Sequence, residues 1–244
     1  MPVFKSIVKK LIASAGYSIS RKQSPMMENN QDEMAAGLER MKLLQINPDV
    51  IIDIGAAQGT WTKKALQVWP LAAYELVEPL KEQVGVLEQL KVAHSNINYH
   101  VAVAGEAMGD TMLNVSPDLD GSGVYGNNAE NARKVPVITI DEIVANIPGN
   151  VLIKLDTHGY ELPILKGATE ALKRTCLLVI EVYGFNISPT CLLFHELSVY
   201  LDDVGFRLID IVDIMRRPCD NAFWQADAFY ARKDNPVFEK ESYA

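Results

Sequence analysis

The sequence predicts an α/β fold: one doubly wound, mostly parallel sheet with a terminal antiparallel strand pair and a helical N-terminal extension. Short, nearly all-apolar runs alternate with segments of helical periodicity, which is typical of parallel strands covered by helices on both faces. The last two strand-like runs have no helix between them, so we expect them to pair antiparallel. With 244 residues, 48% of them hydrophobic, the chain is long enough to bury one sizeable core.

The elements are predicted from these runs in chain order. Apolar runs such as VIIDIG and CLLVIEVY predict strands at residues 50–55, 72–78, 97–104, 135–140, 151–156, 176–183, 206–214 and 225–233. The segments between them predict helices at residues 34–46, 59–68, 80–92, 160–173 and 191–204, and a helix that begins at Asp141. A Gly-, Asp- and Asn-rich stretch at 116–131 predicts a long loop.

The chain divides into a basic amphipathic helix and linker (1–33), one domain (34–238) and a tail (239–244). In the first segment, apolar residues share one helical face: Phe4, Ile7, Val8, Leu11 and Ile12. Lysines project from the other side and interrupt the apolar run, which argues against a signal peptide. Two interpretations stay open for residues 1–25: the helix packs on the domain as a lid, or it lies peripherally on an anionic membrane surface.

Charge and cysteine usage exclude several classes of function. Residues 1–25 hold five basic side chains and no acidic one, so the other residues set 18 basic against 31 acidic side chains. A body this acidic disfavours nucleic acid as a partner. The three cysteines form no C-x-x-C pair and the four histidines show no zinc-ligand spacing. We therefore expect a reducing, cytoplasmic location, with peripheral contact at the inner face of the membrane as the variant for residues 1–25.

The segment after the first predicted strand suits a ligand at the carboxyl edge of the sheet. Asp53 precedes Gly55, which permits a tight turn, and Gly59 opens a helix whose N-terminus favours negative charge. The spacing is G-x-x-x-G, so the dinucleotide fingerprint G-x-G-x-x-G is not met. Glu78 ends the second strand, 23 residues beyond Gly55, at about the offset of an acid that binds two ribose hydroxyls.

These residues resemble a known family. Residues 53–59 and 77–79 resemble the first two motifs of class I, Rossmann-like S-adenosylmethionine-dependent methyltransferases. Residues 154–168, KLDTHGYELPILKGA, are similar to the fourth-strand signature of the FkbM methyltransferases. Ile180–Val182 and Gln225–Asp227 match the same family's pattern.

The resemblance spans roughly residues 38–238 and implies S-adenosylmethionine-dependent O-methylation of a hydroxyl, with known members acting on sugars and polyketides. It implies that Glu78 holds the ribose and that Val101 and Ala102 lie near adenine. The amino-acid end of the cofactor would be lined by Asp53, Gly55, Ala56 and Gly59, and Ala57 and Asp156 are further candidates for binding the cofactor.

Removing the hydroxyl proton requires a base near neutral pH, and His158 is the best-placed candidate. Asp156 either orients His158 or acts as the base itself, and both alternatives stay open. Glu181 interrupts an apolar strand near its carboxyl end and points to the same cleft. These three side chains are ligand types for a divalent ion, but their spacing demands none, so a metal stays unassigned.

The loop at 116–131 is longer than a connector needs to be, and such loops serve as lids or as plain surface loops. On the lid interpretation, Tyr125 stacks on a sugar ring and Asn127 bonds its hydroxyls. The sequence thus predicts an O-methyltransferase that acts on a carbohydrate, a glycolipid or a similar hydroxyl-bearing natural product. An NAD-linked oxidoreductase and a non-catalytic cofactor-binding or interaction protein are the alternatives. The acceptor and the oligomeric state stay unassigned.

Overall fold

The computed structural model describes residues 32–124, 131–240 and 242. The predicted helix of residues 1–25 and most of its linker lie outside the described residues. In the described part of the chain, no helix combines the length and the hydropathy that a membrane crossing requires.

The helices and strands follow the predicted alternation. The strands are β1 (Val50–Ile54), β2 (Ala73–Val77), β3 (Ile97–His100), β4 (Val103–Ala104), β5 (Gly109–Asn114), β6 (Ala132–Ile138), β7 (Val151–Leu155), β8 (Thr175–Tyr183), β9 (Phe206–Arg216) and β10 (Phe223–Arg232). The helices are α1 (Glu33–Leu43), α2 (Thr60–Val68), α3 (Val84–Ala93), α4 (Ile140–Val144), α5 (Glu161–Lys166), α6 (Thr169–Lys173) and α7 (Phe194–Asp203). Short 3₁₀ turns occur at Lys81–Gln83 and Pro236–Phe238.

Seven strands form the main sheet in the order β3-β2-β1-β7-β8-β10-β9. The first five in this order run parallel, while β10 pairs antiparallel with both β8 and β9. The doubly wound sheet and its terminal antiparallel pair are therefore confirmed. The strand order reverses between β1 and β7, and sheets of this kind bind ligands outside the carboxyl ends of the strands at that point.

Each face of the main sheet buries its own apolar layer. On one face α4, α5, α6 and α7 pack over residues such as Ile52, Ile153 and Ile180. On the other face α1, α2 and α3 pack over residues such as Ile51 and Leu152. Adjacent residues of one strand thus enter opposite cores, which explains why the central strands are apolar without alternation.

The predicted strand at 97–104 is wrong as one element, because the structure divides it into β3 and β4. β3 pairs with β2, but Pro79 follows the end of β2 and has no N–H with which to extend the ladder. The chain then turns, and Val103–Ala104 pair with β6 in a second, three-stranded sheet of order β4-β6-β5. β5 was not predicted, because half of the residues in this edge strand are exposed and its sequence shows no apolar run.

The predicted helix at 160–173 is also wrong as one element. It divides into α5 and α6 at Gly167, where a Cβ would lie 2.0 Å from the carbonyl oxygen of Gly105. This close backbone approach ties the end of α5 to the segment that follows β4. The contact between Gly167 and Gly105 therefore holds the three-stranded sheet against the main sheet.

We predict that Gly167→Ala lowers the free energy of unfolding by about 1–3 kcal/mol, because the added methyl group must displace the backbone at Gly105. Gly85→Ala is the matched control: it lies in α3 with no neighbour within 4 Å of an added Cβ. There we expect a gain of up to about 1 kcal/mol from helix propensity. Chemical denaturation measures both variants, and wild-type stability of Gly167→Ala would contradict this account of the break.

Candidate active site

A pocket of about 220 Å³ opens at the carboxyl edge of the main sheet. Its polar lining includes Glu78 after β2 and Asp156, Thr157 and His158 after β7. The small sheet and the connection to it contribute apolar walls: Ala102, Val103, Ala104, Leu113 and Val124. The pocket is therefore polar along the strand ends and apolar opposite them, which suits a ligand that has both polar and apolar parts.

Glu78 is buried, and its carboxylate is held by two backbone amides. Ala57 N donates to Oε2 and Leu80 N donates to Oε1, each at 2.8 Å. Burial raises the pKa of Glu78, although these two amides act in the opposite direction. Each oxygen keeps a second lone pair, so the fixed carboxylate can still accept hydrogen bonds from a ligand.

The loop after β1 approaches the strand ends so closely that a side chain would not fit at its first glycine. Gly55 has φ +76°, and a Cβ there would lie 2.1 Å from the carbonyl oxygen of Asp156. Gly59 has φ +68° and packs on Leu90, while Ala57 also takes a positive φ and donates to Glu78. The loop is thereby fixed against both β2 and β7.

The other residues predicted to hold the cofactor are distributed more widely. Ala102 lines the pocket and Val101 does not. Ala56 is buried and lines a second pocket of about 430 Å³, which shares Gly55, Ala57 and Asp156 with the first. Sequence reasoning missed the apolar wall residues Leu80, Val103, Leu113 and Val124, because β4 and β5 carry no signal that places them beside the main sheet.

Asp53 lies beneath the first pocket and is not among the residues that line it. Its side chain is fully buried, accepts a 2.6 Å hydrogen bond from Thr62 Oγ1 and lies 3.4 Å from Lys154 Nζ. Lys154 also lies 3.2 Å from Asp156 Oδ2, so one buried ammonium serves two carboxylates. Burial acts to lower the pKa of Lys154, but Asp156 and Asp53 outweigh it and raise that pKa. Sequence reasoning did not select Lys154, although a lysine inside an apolar strand was the available signal.

Asp156, His158 and Glu181 come together. His158 Nε2 lies 3.7 Å from Asp156 Oδ1 and 3.9 Å from Glu181 Oε2, while its Nδ1 lies 3.5 Å from the carbonyl oxygen of Ser122. A proton on Nδ1 suits that carbonyl, and Nε2 faces the two acids. Burial acts to raise the pKa of Asp156, but Lys154 and then His158 outweigh it, so the pKa lies below its usual value.

Glu181 is fixed by neighbours that sequence reasoning did not assign to the site. The Tyr183 hydroxyl donates to Oε2 and the Gln225 amide donates to Oε1. Asp227 lies directly opposite Glu181 in the β8–β10 ladder. Burial, followed by the charge of Asp156, raises the pKa of Glu181 to about 8 and that of Asp227 to about 7.

Tyr125 and Asn127 lie outside the described residues. The described start of the same loop lines the pocket through Leu119, Asp120, Ser122, Gly123 and Val124. The lid interpretation of residues 116–131 stays a prediction. Glu161, at the start of α5, is buried and accepts hydrogen bonds from Thr157 Oγ1 and Gly159 N, so it organises the loop that carries His158.

The sequence model of the methyltransferase FkbM domain matches residues 53–208, from the end of β1 to the beginning of β9. The chain belongs to the FkbM methyltransferase family. The match contains Glu78, the Asp156–His158 segment and Glu181. Of the functions that the sequence left open, it supports methyl transfer.

Two proteins similar to this FkbM-family chain extend the comparison. Hexuronic acid methyltransferase AglP of Haloferax volcanii is 30% identical over 78 residues, which cover 31% of this chain and 32% of that protein. The chain thus aligns with about a third of that relative's length. The crystal structure of methyltransferase FkbM from Methylobacillus flagellatus KT aligns at 20% identity with a TM-score of 0.51, covering 75% of this chain and 43% of that one. This second likeness shows the fold.

We predict that Lys154→Met lowers the free energy of unfolding by about 3–5 kcal/mol near neutral pH, because Asp53 and Asp156 lose their buried cation. Lys64→Met is the matched control: Lys64 pairs with Asp32 at the surface, where we expect less than about 1 kcal/mol.

The deficit of Lys154→Met should also depend on pH. Lys154 depresses the pKa of Asp156, so its stabilising effect is present above the ordinary aspartate pKa and is lost as the pH falls through the depressed value. The stability gap between wild type and variant should therefore narrow at acidic pH in denaturant titrations. A gap of constant size, or no gap, would contradict the shared-cation arrangement.

Proposed function

We propose that this chain transfers the methyl group of S-adenosylmethionine to a hydroxyl oxygen of a carbohydrate acceptor. The observation that carries the proposal is one pocket, in an FkbM-family chain, that has a fixed carboxylate at Glu78 and an imidazole facing two acids at His158. The first suits the hydroxyls of a ribose and the second suits the hydroxyl of an acceptor.

The residues present fit the cofactor. Glu78 offers oriented lone pairs for two ribose hydroxyls, and the apolar wall around Leu80 and Val103 suits the faces of adenine. Gly55 lets the loop after β1 approach Asp156 closely, because a Cβ there would collide with the Asp156 carbonyl oxygen. Gly55, Ala57 and Asp156 line the part of the pocket where the amino-acid end would lie. When bound, S-adenosylmethionine supplies an electrophilic methyl group on a positively charged sulfur.

The chain's own residues would prepare the acceptor oxygen. His158 Nε2 accepts the hydroxyl proton while the oxygen–carbon bond forms and the sulfur–carbon bond breaks, and the electron pair of that broken bond stays on sulfur. Asp156, whose pKa lies below its usual value, would stabilise the imidazolium that results. Asp156 as the base is the alternative, but its depressed pKa makes it a weak proton acceptor.

An aromatic shelf at the same sheet edge supports a sugar as acceptor. Phe185 and Trp224 stack with ring centroids 5.8 Å apart, and the Arg217 guanidinium lies 3.7 Å from the Phe185 ring centroid. Trp224 adjoins Gln225, the residue that holds Glu181. The Arg217 guanidinium is already paired with the Asp220 carboxylate, so what the shelf offers a sugar ring is an apolar aromatic face. The shelf favours a sugar ring, and the hexuronic acid methyltransferase among the relatives is the ground for proposing an acidic one.

The proposal is tested by incubating the chain with S-adenosylmethionine carrying an isotopically labelled methyl group and a panel of uronic acid glycosides, neutral glycosides and glycolipids. We expect label in a base-stable methyl ether of a uronic acid glycoside. Label in a base-labile methyl ester, or in no carbohydrate of a panel that the chain binds, would contradict hydroxyl methylation.

We predict that Glu78→Gln weakens S-adenosylmethionine binding roughly ten- to a hundredfold, because charge-assisted hydrogen bonds to the ribose are lost. Calorimetric titration gives the dissociation constants. Glu82→Gln is the control, since Glu82 pairs with Arg133 at the surface. Equal affinities for Glu78→Gln and wild type would exclude Glu78 as the ribose ligand.

We predict that Trp224→Ala raises the acceptor KM roughly three- to tenfold, because one face of the stacked shelf is lost, and leaves S-adenosylmethionine affinity unchanged. Phe238→Ala is the control: it removes an aromatic ring that also contacts an arginine, Arg207, but that is not part of the shelf. Initial rates at saturating cofactor measure the effect. An unchanged acceptor KM would remove the shelf from the acceptor site.

A further inference from the structure

Three candidate metal ligands converge from separate positions along the chain. Asp156 follows β7, His158 lies in the next loop and Glu181 lies near the end of β8; one ligand atom of each falls within 4.8 Å of the others. Ligands about 2.1 Å from an octahedral ion lie about 3 Å apart when adjacent and about 4.2 Å apart when opposite. The observed 3.7 Å and 3.9 Å from His158 Nε2 to the two carboxylates lie between these values. Sub-ångström shifts would therefore close the three side chains around one ion.

Each of the three side chains is already oriented by a second partner. Glu181 is held by Tyr183 and Gln225, and Asp156 is held by Lys154. The Ser122 carbonyl lies beside Nδ1 of His158, which leaves Nε2 free to ligate. Carbonyl and carboxylate partners of this kind fix the tautomer and direction of metal ligands.

The local charge also favours a cation. Lys154 already pairs with Asp53 and Asp156, so its positive charge does not also neutralise Glu181. Asp227 lies opposite Glu181 and adds a further acid. Ionised carboxylates this close together repel one another without a cation, and a divalent ion would offset that repulsion.

The cluster is open on one side. The side chains of Asp156 and His158 are 38% and 36% exposed, whereas Glu181 is 11% exposed. Two carboxylates and one imidazole are hard and intermediate ligands, which suit Mg²⁺ or Mn²⁺ better than a thiophilic metal. An ion held by three protein ligands on one side would keep open positions for an oxygen from the pocket.

We propose that Asp156, His158 and Glu181 form a divalent-cation site whose open position binds the acceptor hydroxyl of the methyl transfer. This rests on the proposed function, and it changes the role of His158 from free base to ligand. The bound ion lowers the pKa of the hydroxyl, whose proton leaves to water on the exposed side. The resulting oxygen then takes the methyl group as the sulfur–carbon bond breaks.

The test measures Mn²⁺ binding to the chelator-treated full chain by electron paramagnetic resonance, with no cofactor or acceptor present. We expect one Mn²⁺ per chain with a micromolar dissociation constant, weakened at least tenfold in His158→Asn and in Glu181→Gln. Asparagine suits position 158 because it tolerates the φ of +53° there. The matched controls, His195→Asn and Glu170→Gln, alter exposed side chains and should bind as wild type does.

Each outcome decides the question. Absence of stoichiometric binding, or binding that the site variants leave unchanged, overturns the proposal. Methyl transfer at the full rate in excess chelator would also overturn the metal proposal. In that case the proposed function stands without the metal. If Mn²⁺ binds at this site but S-adenosylmethionine does not bind the chain, the methyl-transfer proposal fails while the metal-binding site remains.

Discussion

The buried ammonium of Lys154 is the interaction on which the rest of the site depends. It lies opposite Asp53 in the β1–β7 ladder and reaches the carboxylate of Asp156 one step beyond the end of β7. A charge taken out of water costs several kcal/mol unless it is paired, so these three groups hold one another in place. The position of Asp156 in turn sets the space around Gly55 and the start of the loop that carries His158.

One cation for two acids leaves the carboxyl edge of the sheet short of positive charge. Glu181 and Asp227 face each other on the neighbouring strands, and burial raises the pKa of both into the neutral range. Such an edge has a strong tendency to take up protons or cations. The same property serves a reaction that must remove a proton from an alcohol, since the site can stabilise an imidazolium or a metal ion.

Much of the fold could be predicted from the sequence because buried parallel strands have a strong local signal. The strands β1, β7 and β8 follow directly from their apolar runs. The division of residues 97–104 could not be predicted, because the two parts follow each other directly along the chain and differ only in the strands with which they pair. β5 has exposed side chains, and its strand geometry comes from the tertiary contact with β6.

The candidate site shows the same limit. Asp156, His158 and Glu181 lie at or near the carboxyl ends of two predicted parallel strands. The carboxyl ends of parallel strands meet at one edge of the sheet, so the sequence already brings the three side chains together. Tyr183 and Gln225 are ordinary strand residues whose contact with Glu181 depends on the antiparallel register of β8 and β10. Asp53 has the sequence position of a cofactor ligand, yet its partners are Thr62 and Lys154. Register and burial decide these roles, and neither has a local signature.

Calorimetric titration of the unmodified chain with S-adenosylmethionine, S-adenosylhomocysteine and NAD shows which cofactor the pocket binds. We expect micromolar binding of the first two and no binding of NAD, because the loop after β1 lacks the middle glycine that a pyrophosphate needs. Binding of NAD alone would contradict the account.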